Sequence, residues 1–227
     1  MKRLPGFVLR FVVVGPLILA ACGAPTTGGP GGPTAAASTA GAAPGSSSGC
    51  PTSQPAPLPA GQTRTVTIAT RLGTMTIEVD GGLSPIAMGN FVALASCGYY
   101  DTVVFHRVVP GFVIQGGDGQ HGRAASFDRA RIGTGGPGYT IQDEPVTATY
   151  ARGVVAMART SAPNSQGSQF FIVLDDAARE SLASANTYAI LGHVTDGMEV
   201  ADAIAAAADA EIPSDPVAMD RVTVTSP

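Results

Sequence analysis

Lysine is almost absent from this chain of 227 residues: Lys2 is the single one. With the segment carrying Lys2 set aside, a Schiff-base lysine and the phosphate-binding lysine of a P-loop are both excluded. Tryptophan is missing altogether, and charged residues make up only 13% of the chain, about half the usual share. The balance is acidic, with a formal net charge of −4. There is no basic surplus to displace counterions from a phosphate backbone, so nucleic acid is not an expected partner. Long apolar runs are scarce too. The run Phe11–Ala21 is eleven residues, well short of the roughly 20 that a membrane-spanning helix needs.

That short run follows Lys2 and Arg3, which together predict a signal peptide over residues 1–21. Its end, Leu19-Ala20-Ala21-Cys22, resembles the cleavage box of bacterial lipoproteins. The resemblance implies that Cys22 carries a diacylglyceryl thioether and becomes the mature N-terminus. An ordinary secretory signal with an unrelated cysteine is the alternative. Two acyl chains hold a protein on a bilayer where one does not, so the expected location is extracytoplasmic, lipid-anchored to a bacterial membrane. Residues 22–60 are almost entirely Gly, Ala, Pro, Ser and Thr. With so little apolar surface to bury they are expected to form a disordered tether. The folded domain is expected over 61–227, enough chain for one well-buried core.

Within it, Thr65–Ala69 and Met75–Val79 alternate apolar with polar side chains around Leu72-Gly73-Thr74, the pattern of a half-buried hairpin. Ser84-Pro85 predicts a helix start, with Ser84 as N-cap and Pro85 at the first helical position. Ile86, Met88, Phe91, Val92 and Leu94 follow on a helical repeat. Further strands are expected at 103–108, 111–115, 154–158, 170–174, 189–194 and 222–225, and a second helix at about 198–208. Many antiparallel strands with only two helices predict a mainly β barrel or sandwich with helices at its ends.

Three stretches carry the candidate chemistry. FHRVVPGFVIQGGD (105–118) sets Arg107, Phe112 and Gln115 on two strand-like runs joined by a Pro-Gly bend. GTGGPGY (133–139) reads as a flexible loop, and MARTSAPNSQGSQFFIVL (157–174) places Gln169 and Phe171 on a common face. In content, order and spacing these stretches resemble the cyclophilin family of peptidyl-prolyl isomerases in its bacterial branch, over essentially all of 64–225. The resemblance implies a closed eight-stranded antiparallel barrel capped by two α-helices. It also implies catalysis of rotation about Xaa-Pro bonds.

That reaction needs no nucleophile, metal or proton donor. Amide resonance sets a barrier of about 18–20 kcal/mol, and a donor aimed at the prolyl nitrogen lowers it as the lone pair localises. By resemblance Arg107 is that donor. Phe112, Val113 and Phe171 form the proline pocket, and Gln115 orients Arg107 and the substrate backbone. Ala158 and Arg159 grip that backbone, Gln169 is the family's second glutamine, and Gly133 lines the neighbouring subsite. Leu182 and Tyr188 complete the pocket wall. The chain departs from the family pattern where Val113 replaces a methionine, Arg159 an asparagine, Tyr188 a histidine and Ser181 a tryptophan, and where the 175–187 loop is longer.

The remaining polar residues read more plainly. His106, His121 and His193 are isolated, without metal-ligand spacing, and His106 is expected to be a hydrogen-bonded structural residue. No metal or cofactor is expected. Asp118–Gln120 begins like a calcium loop but lacks the alternating acids, and Asp143-Glu144 and Asp175-Asp176 read as solvated loops rather than a catalytic dyad. Cys50 and Cys97 remain after acylation of Cys22, leaving open a disulfide between them or a buried Cys97 with a free Cys50. The expected function is an isomerase acting on exported, proline-containing polypeptides, as a monomer. The alternative is a cyclophilin-fold lipoprotein that binds proline peptides or a partner surface with little turnover.

Overall fold

The computed structural model describes residues 49–226. The expected signal peptide 1–21, the expected lipidation site Cys22 and the expected tether up to residue 48 lie outside the described residues. In chain order the elements are β1 (Thr63–Thr70), β2 (Gly73–Asp80), α1 (Pro85–Ser96), β3 (Phe105–Val109), β4 (Val113–Gly116), β5 (Val154–Met157), β6 (Phe170–Val173), α2 (Ala178–Ala185), β7 (Ile190–Asp196), α3 (Met198–Ala207) and β8 (Arg221–Thr225). Each expected strand is present within a few residues of its predicted place.

The strands form one sheet in the order β3-β4-β6-β5-β7-β2-β1-β8, and every paired neighbour is antiparallel. The sheet curls, but the expected closed barrel is not formed, because the edge strands β3 and β8 share no ladder. The two edges meet instead through the segment before β8. Phe105 donates its N–H to the Val217 carbonyl at 2.8 Å and Met219 donates to Val103 at 2.9 Å, around one isolated bridge between Val104 and Ala218. Pro213 and Pro216 lie in this segment. Proline supplies no N–H to a ladder, so regular pairing begins only at Arg221.

The main core lies on the inner face of the curl, where alternate residues of every strand point. Phe91 of α1 packs edge-on against Phe170 of β6 at 5.2 Å, and Tyr100 stands 5.5 Å from the same ring. Phe91 is fully buried, so its truncation to alanine should cost about 3–5 kcal/mol. From α3, Val200, Ala201 and Ile204 join this core.

Two helical expectations need correction. Ser84 occupies the N-cap of α1 but makes no side-chain cap bond. Pro85 has no N–H, and the next two amides, of Ile86 and Ala87, donate to the two carboxylate oxygens of Glu144 at 2.8 Å each. A carboxylate at a helix N-terminus is favoured by both hydrogen bonding and the helix dipole, so Glu144 is a remote cap rather than part of a solvated loop. The second correction is α2, a third helix where two were expected, which forms within the 175–187 loop. It ends at Asn186 in the left-handed conformation, φ 44°, a common helix stop.

Residues 49–60, expected to belong to the disordered tether, lie against α1. Cys50 is disulfide-bonded to Cys97, with Cα atoms 5.2 Å apart. Leu58 is buried and donates its N–H to the Pro85 carbonyl at 2.9 Å, and the Gln54 side chain accepts from the Gln142 amide at 2.9 Å. Gly89 lets the strap approach the helix: a Cβ there would stand 2.2 Å from the Ala56 carbonyl.

Candidate functional site

The site lies on the outer face of β3, β4, β6 and β5, and strand alternation decides which residues reach it. On β4, Ile114 joins the inner core while Val113 belongs to a second, outer cluster; on β6, Phe170 and Ile172 point in while Phe171 and Val173 point out. A register shift between Phe105 and Arg107 makes His106 the extra residue of a β-bulge and brings Arg107 opposite Gln115. Gln115 in turn faces Phe171, and Phe171 faces Ala156. Arg107, Gln115, Phe171 and Ala156 therefore form one transverse row across four strands. A single bulge aims the arginine into it.

Over this row lies a cavity of about 220 Å³ lined by Arg107, Phe112, Val113, Gln115, Ala158, Arg159, Phe171, Leu182 and Tyr188. Its floor is apolar, with Val113 and Phe171 almost fully buried. The unexpected helix α2 supplies Leu182. Tyr188 closes one wall by an edge-on contact with Phe171, ring centroids 5.4 Å apart. Tyr150, which sequence reasoning missed, holds Tyr188 from behind: its hydroxyl donates to the Tyr188 carbonyl at 3.0 Å and accepts from the Tyr188 amide at 3.1 Å.

A larger cavity of about 620 Å³ adjoins it and shares Gln115, Ala158 and Arg159. Gly133 and Gln169 line this second cavity rather than the first. The two glutamines form a chain. Gln115 Nε2 donates to Gln169 Oε1 at 3.0 Å, and Gln169 Nε2 donates to the carbonyls of Gly133 and Gly135 at 2.9 and 2.8 Å. Gln115, expected to orient Arg107, has its side-chain amide engaged in this chain, and it stands beside Arg107 as a cross-strand neighbour.

The glycine-rich loop is pinned rather than flexible at its base. Asp118 is fully buried, and its carboxylate accepts the amides of Gln120, His121, Gly133 and Gly135 at 3.1, 2.9, 2.8 and 3.0 Å. Bonds to an ionised acceptor are worth about 1.5–3 kcal/mol each, enough to set the loop's path. Gly135 is required there, because a Cβ would fall 2.2 Å from Asp118 Oδ1. His106 lies below the same loop, 2% exposed, with neither ring nitrogen hydrogen-bonded. Burial therefore outweighs the attraction of Asp118 and lowers its pKa to about 4. It is a neutral buried ring whose contacts with the Val104 backbone and the Gln169 side chain offset only part of that burial.

Arg107 and Arg159 are held by different acids. Arg107 Nε donates to Glu211 Oε1 at 2.6 Å. Arg159, whose side chain is only 9% exposed, pairs with Asp143 at 3.0 Å and donates to the carbonyls of Thr160 at 3.1 Å and Ala162 at 2.8 Å. Asp143 is thus a structural partner and not a loop charge. The Ala158 amide is already taken by the Gln169 carbonyl at 2.9 Å. Glu211 carries no local sequence signal, since it is one of several acids spaced along an alanine-rich stretch far along the chain.

Residues 65–224 match the family model described as cyclophilin type peptidyl-prolyl cis-trans isomerase/CLD. A Brucella abortus protein described as a probable peptidyl-prolyl cis-trans isomerase is 38% identical over 149 residues, which are 65% of this chain and 74% of that one. Peptidyl-prolyl cis-trans isomerase A of Dickeya dadantii is 37% identical over 140 residues, 61% of this chain and 70% of that one. Among solved structures, a Cryptosporidium parvum cyclophilin type peptidyl-prolyl cis-trans isomerase, crystallised in the presence of the dipeptide Ala-Pro, superposes with a TM-score of 0.60 at 31% identity. It covers 72% of this chain and 99% of that chain.

Proposed function

The chain belongs to the cyclophilin-type peptidyl-prolyl cis-trans isomerases, and from that membership we propose that it accelerates Xaa-Pro rotation in exported proteins, with Arg107 as the donor to the prolyl nitrogen. The observation that carries the mechanism is the transverse row: one cationic donor, Arg107, stands in register beside the apolar floor made by Phe171 and Val113. A prolyl ring seated on that floor has its nitrogen within reach of the guanidinium. As the amide twists, conjugation is lost and the nitrogen lone pair becomes a hydrogen-bond acceptor. A donor that meets it only then stabilises the transition state over the ground state. Arginine suits the role because it remains charged at every working pH. The amide of Arg159 and the Gln115–Gln169 chain border the path of the flanking peptide.

Export is supported by the signal-like segment 1–21 and by the disulfide between Cys50 and Cys97, since such bonds persist in oxidising compartments. Anchorage through Cys22 follows from the lipoprotein-like box. Protease-coupled assay of the purified chain on a short Xaa-Pro peptide tests the activity. Arg107→Ala should lower kcat/KM by about 100-fold or more, and a value within twofold of wild type would remove Arg107 from the mechanism. Peptide binding without accelerated exchange would mark a binding module instead. For the anchor, Cys22→Ser should release the protein from membranes; a processed, unacylated form that stays membrane-bound would refute it.

A further inference from the structure

The bond from Arg107 Nε to Glu211 Oε1, 2.6 Å long, joins residues 104 positions apart in the chain. The two side chains are 36% and 60% exposed, so as a charge attraction the pair contributes little. Its geometry is another matter. Glu211 sits on the segment between α3 and β8, and that segment is bracketed at three points. Its own carbonyl accepts the Val108 amide at 2.8 Å, one residue along from Arg107. Asp209 accepts the Ser214 amide at 2.8 Å and its hydroxyl at 2.5 Å, closing the turn on itself. Arg129 donates to the carbonyls of Ile212 and Pro213 at 3.0 and 2.6 Å. The carboxylate is therefore presented from a fixed backbone to one edge of a guanidinium whose cross-strand neighbour, Gln115, is bonded elsewhere.

We propose that Glu211 is a positioning residue for the isomerase reaction: by holding Nε it sets the plane of the Arg107 guanidinium and leaves the two terminal NH2 groups toward the proline cavity. The inference rests on the reading of Arg107 as the donor. A guanidinium so fixed meets the developing lone pair without first losing side-chain freedom. Released, it samples other rotamers, and the loss falls on the transition state rather than on substrate binding. The apolar floor of Val113 and Phe171 does not depend on Glu211.

The test is steady-state kinetics of the full chain on an Xaa-Pro peptide for Glu211→Ala, Glu211→Gln and Arg107→Ala, singly and with Arg107→Ala combined with Glu211→Ala. Glu211→Ala should lower kcat by about tenfold, the scale of a misplaced catalytic group, with KM changed less than twofold. Glu211→Gln keeps an oxygen acceptor for Nε and should stay within about threefold of wild type. In the Arg107→Ala background the second change should have no effect. Should Glu211→Ala lower the melting temperature, Glu211→Met restores the aliphatic stem without an acceptor and should show the same fall in kcat. An unchanged kcat in Glu211→Ala beside an impaired Arg107→Ala overturns the positioning role alone. A rise only in KM, or a Gln variant as poor as the Ala variant, overturns it as well. Full activity of Arg107→Ala overturns the reading of Arg107 and the inference with it.

Discussion

Arg159 reaches Asp143 at 3.0 Å from the wall shared by the two cavities, with 9% of the arginine side chain exposed and 27% of the aspartate. The same guanidinium donates to Thr160 and Ala162, so one side chain ties the 160–162 turn to the 143 loop. Removing it takes the paired cation from a half-buried carboxylate, which keeps the Asn164 amide at 2.8 Å and Gln166 Nε2 at 3.2 Å as donors, and weakens the tie between the two segments.

Arg159→Asn should therefore lower stability by about 1–3 kcal/mol, less than for a fully buried pair because Asp143 keeps some solvent. Arg159→Asn combined with Asp143→Asn should recover part of the loss, since no unpaired charge remains. Urea unfolding of the wild type and the two variants checks this. Equal stability of wild type and Arg159→Asn would show that the brace is not structural.

His106 makes stability depend on acid. Its pKa is lowered from 6.5 to about 4 in the folded protein, burial being the main cause and Asp118 pulling the other way. Above about 6.5 the ring is neutral in both states and adds no pH dependence. Between 6.5 and about 4 the unfolded chain binds a proton that the native state refuses, so stability declines as the pH falls, and below about 4 the decline stops. The full effect is on the order of 3 kcal/mol. Between pH 7 and pH 4.5 the wild type should lose about 2–3 kcal/mol more than His106→Leu. An equal loss in both proteins would acquit His106.

The strap formed by residues 49–60 should depend on its crosslink. The Cys50–Cys97 bond spans 47 residues, and its loss should cost about 2–4 kcal/mol, mainly through the freer unfolded chain. Under reducing conditions limited proteolysis should cut first within 49–60, while the oxidised protein resists. Gly89→Ala should loosen the same segment with the disulfide intact, because its methyl would overlap the Ala56 carbonyl. Identical cleavage of oxidised and reduced protein would separate the strap from the bond.

What was legible in the sequence is what local periodicity controls. Alternation along 113–115 and 169–173 is enough to put Val113, Gln115, Gln169 and Phe171 on one face, because a strand repeats every two residues whatever surrounds it. Ser84-Pro85 marks where α1 begins for a similar reason, since proline suits the first helical position in any context. The family pattern over 64–225 adds the candidate roles, and it rests on the same short stretches.

Tertiary structure decided what depends on groups far apart in the chain. Glu144 caps α1 from 58 residues beyond Ile86, and Glu211 meets Arg107 across 104; no local rule pairs them, because a carboxylate's partner is chosen by where the backbone returns. The order of 49–60 was illegible because the segment buries little beyond Leu58; a covalent bond and close backbone contact with Gly89 hold it instead. The failure of the sheet to close arises in the same way. Strand periodicity at 222–225 is plain, but the meeting of the edges passes through a proline-containing segment whose path only the packed fold sets. Sequence by itself thus determined which face each strand residue takes, and the fold decided which partners hold those residues in place, since the first is a property of one backbone and the second of two that meet.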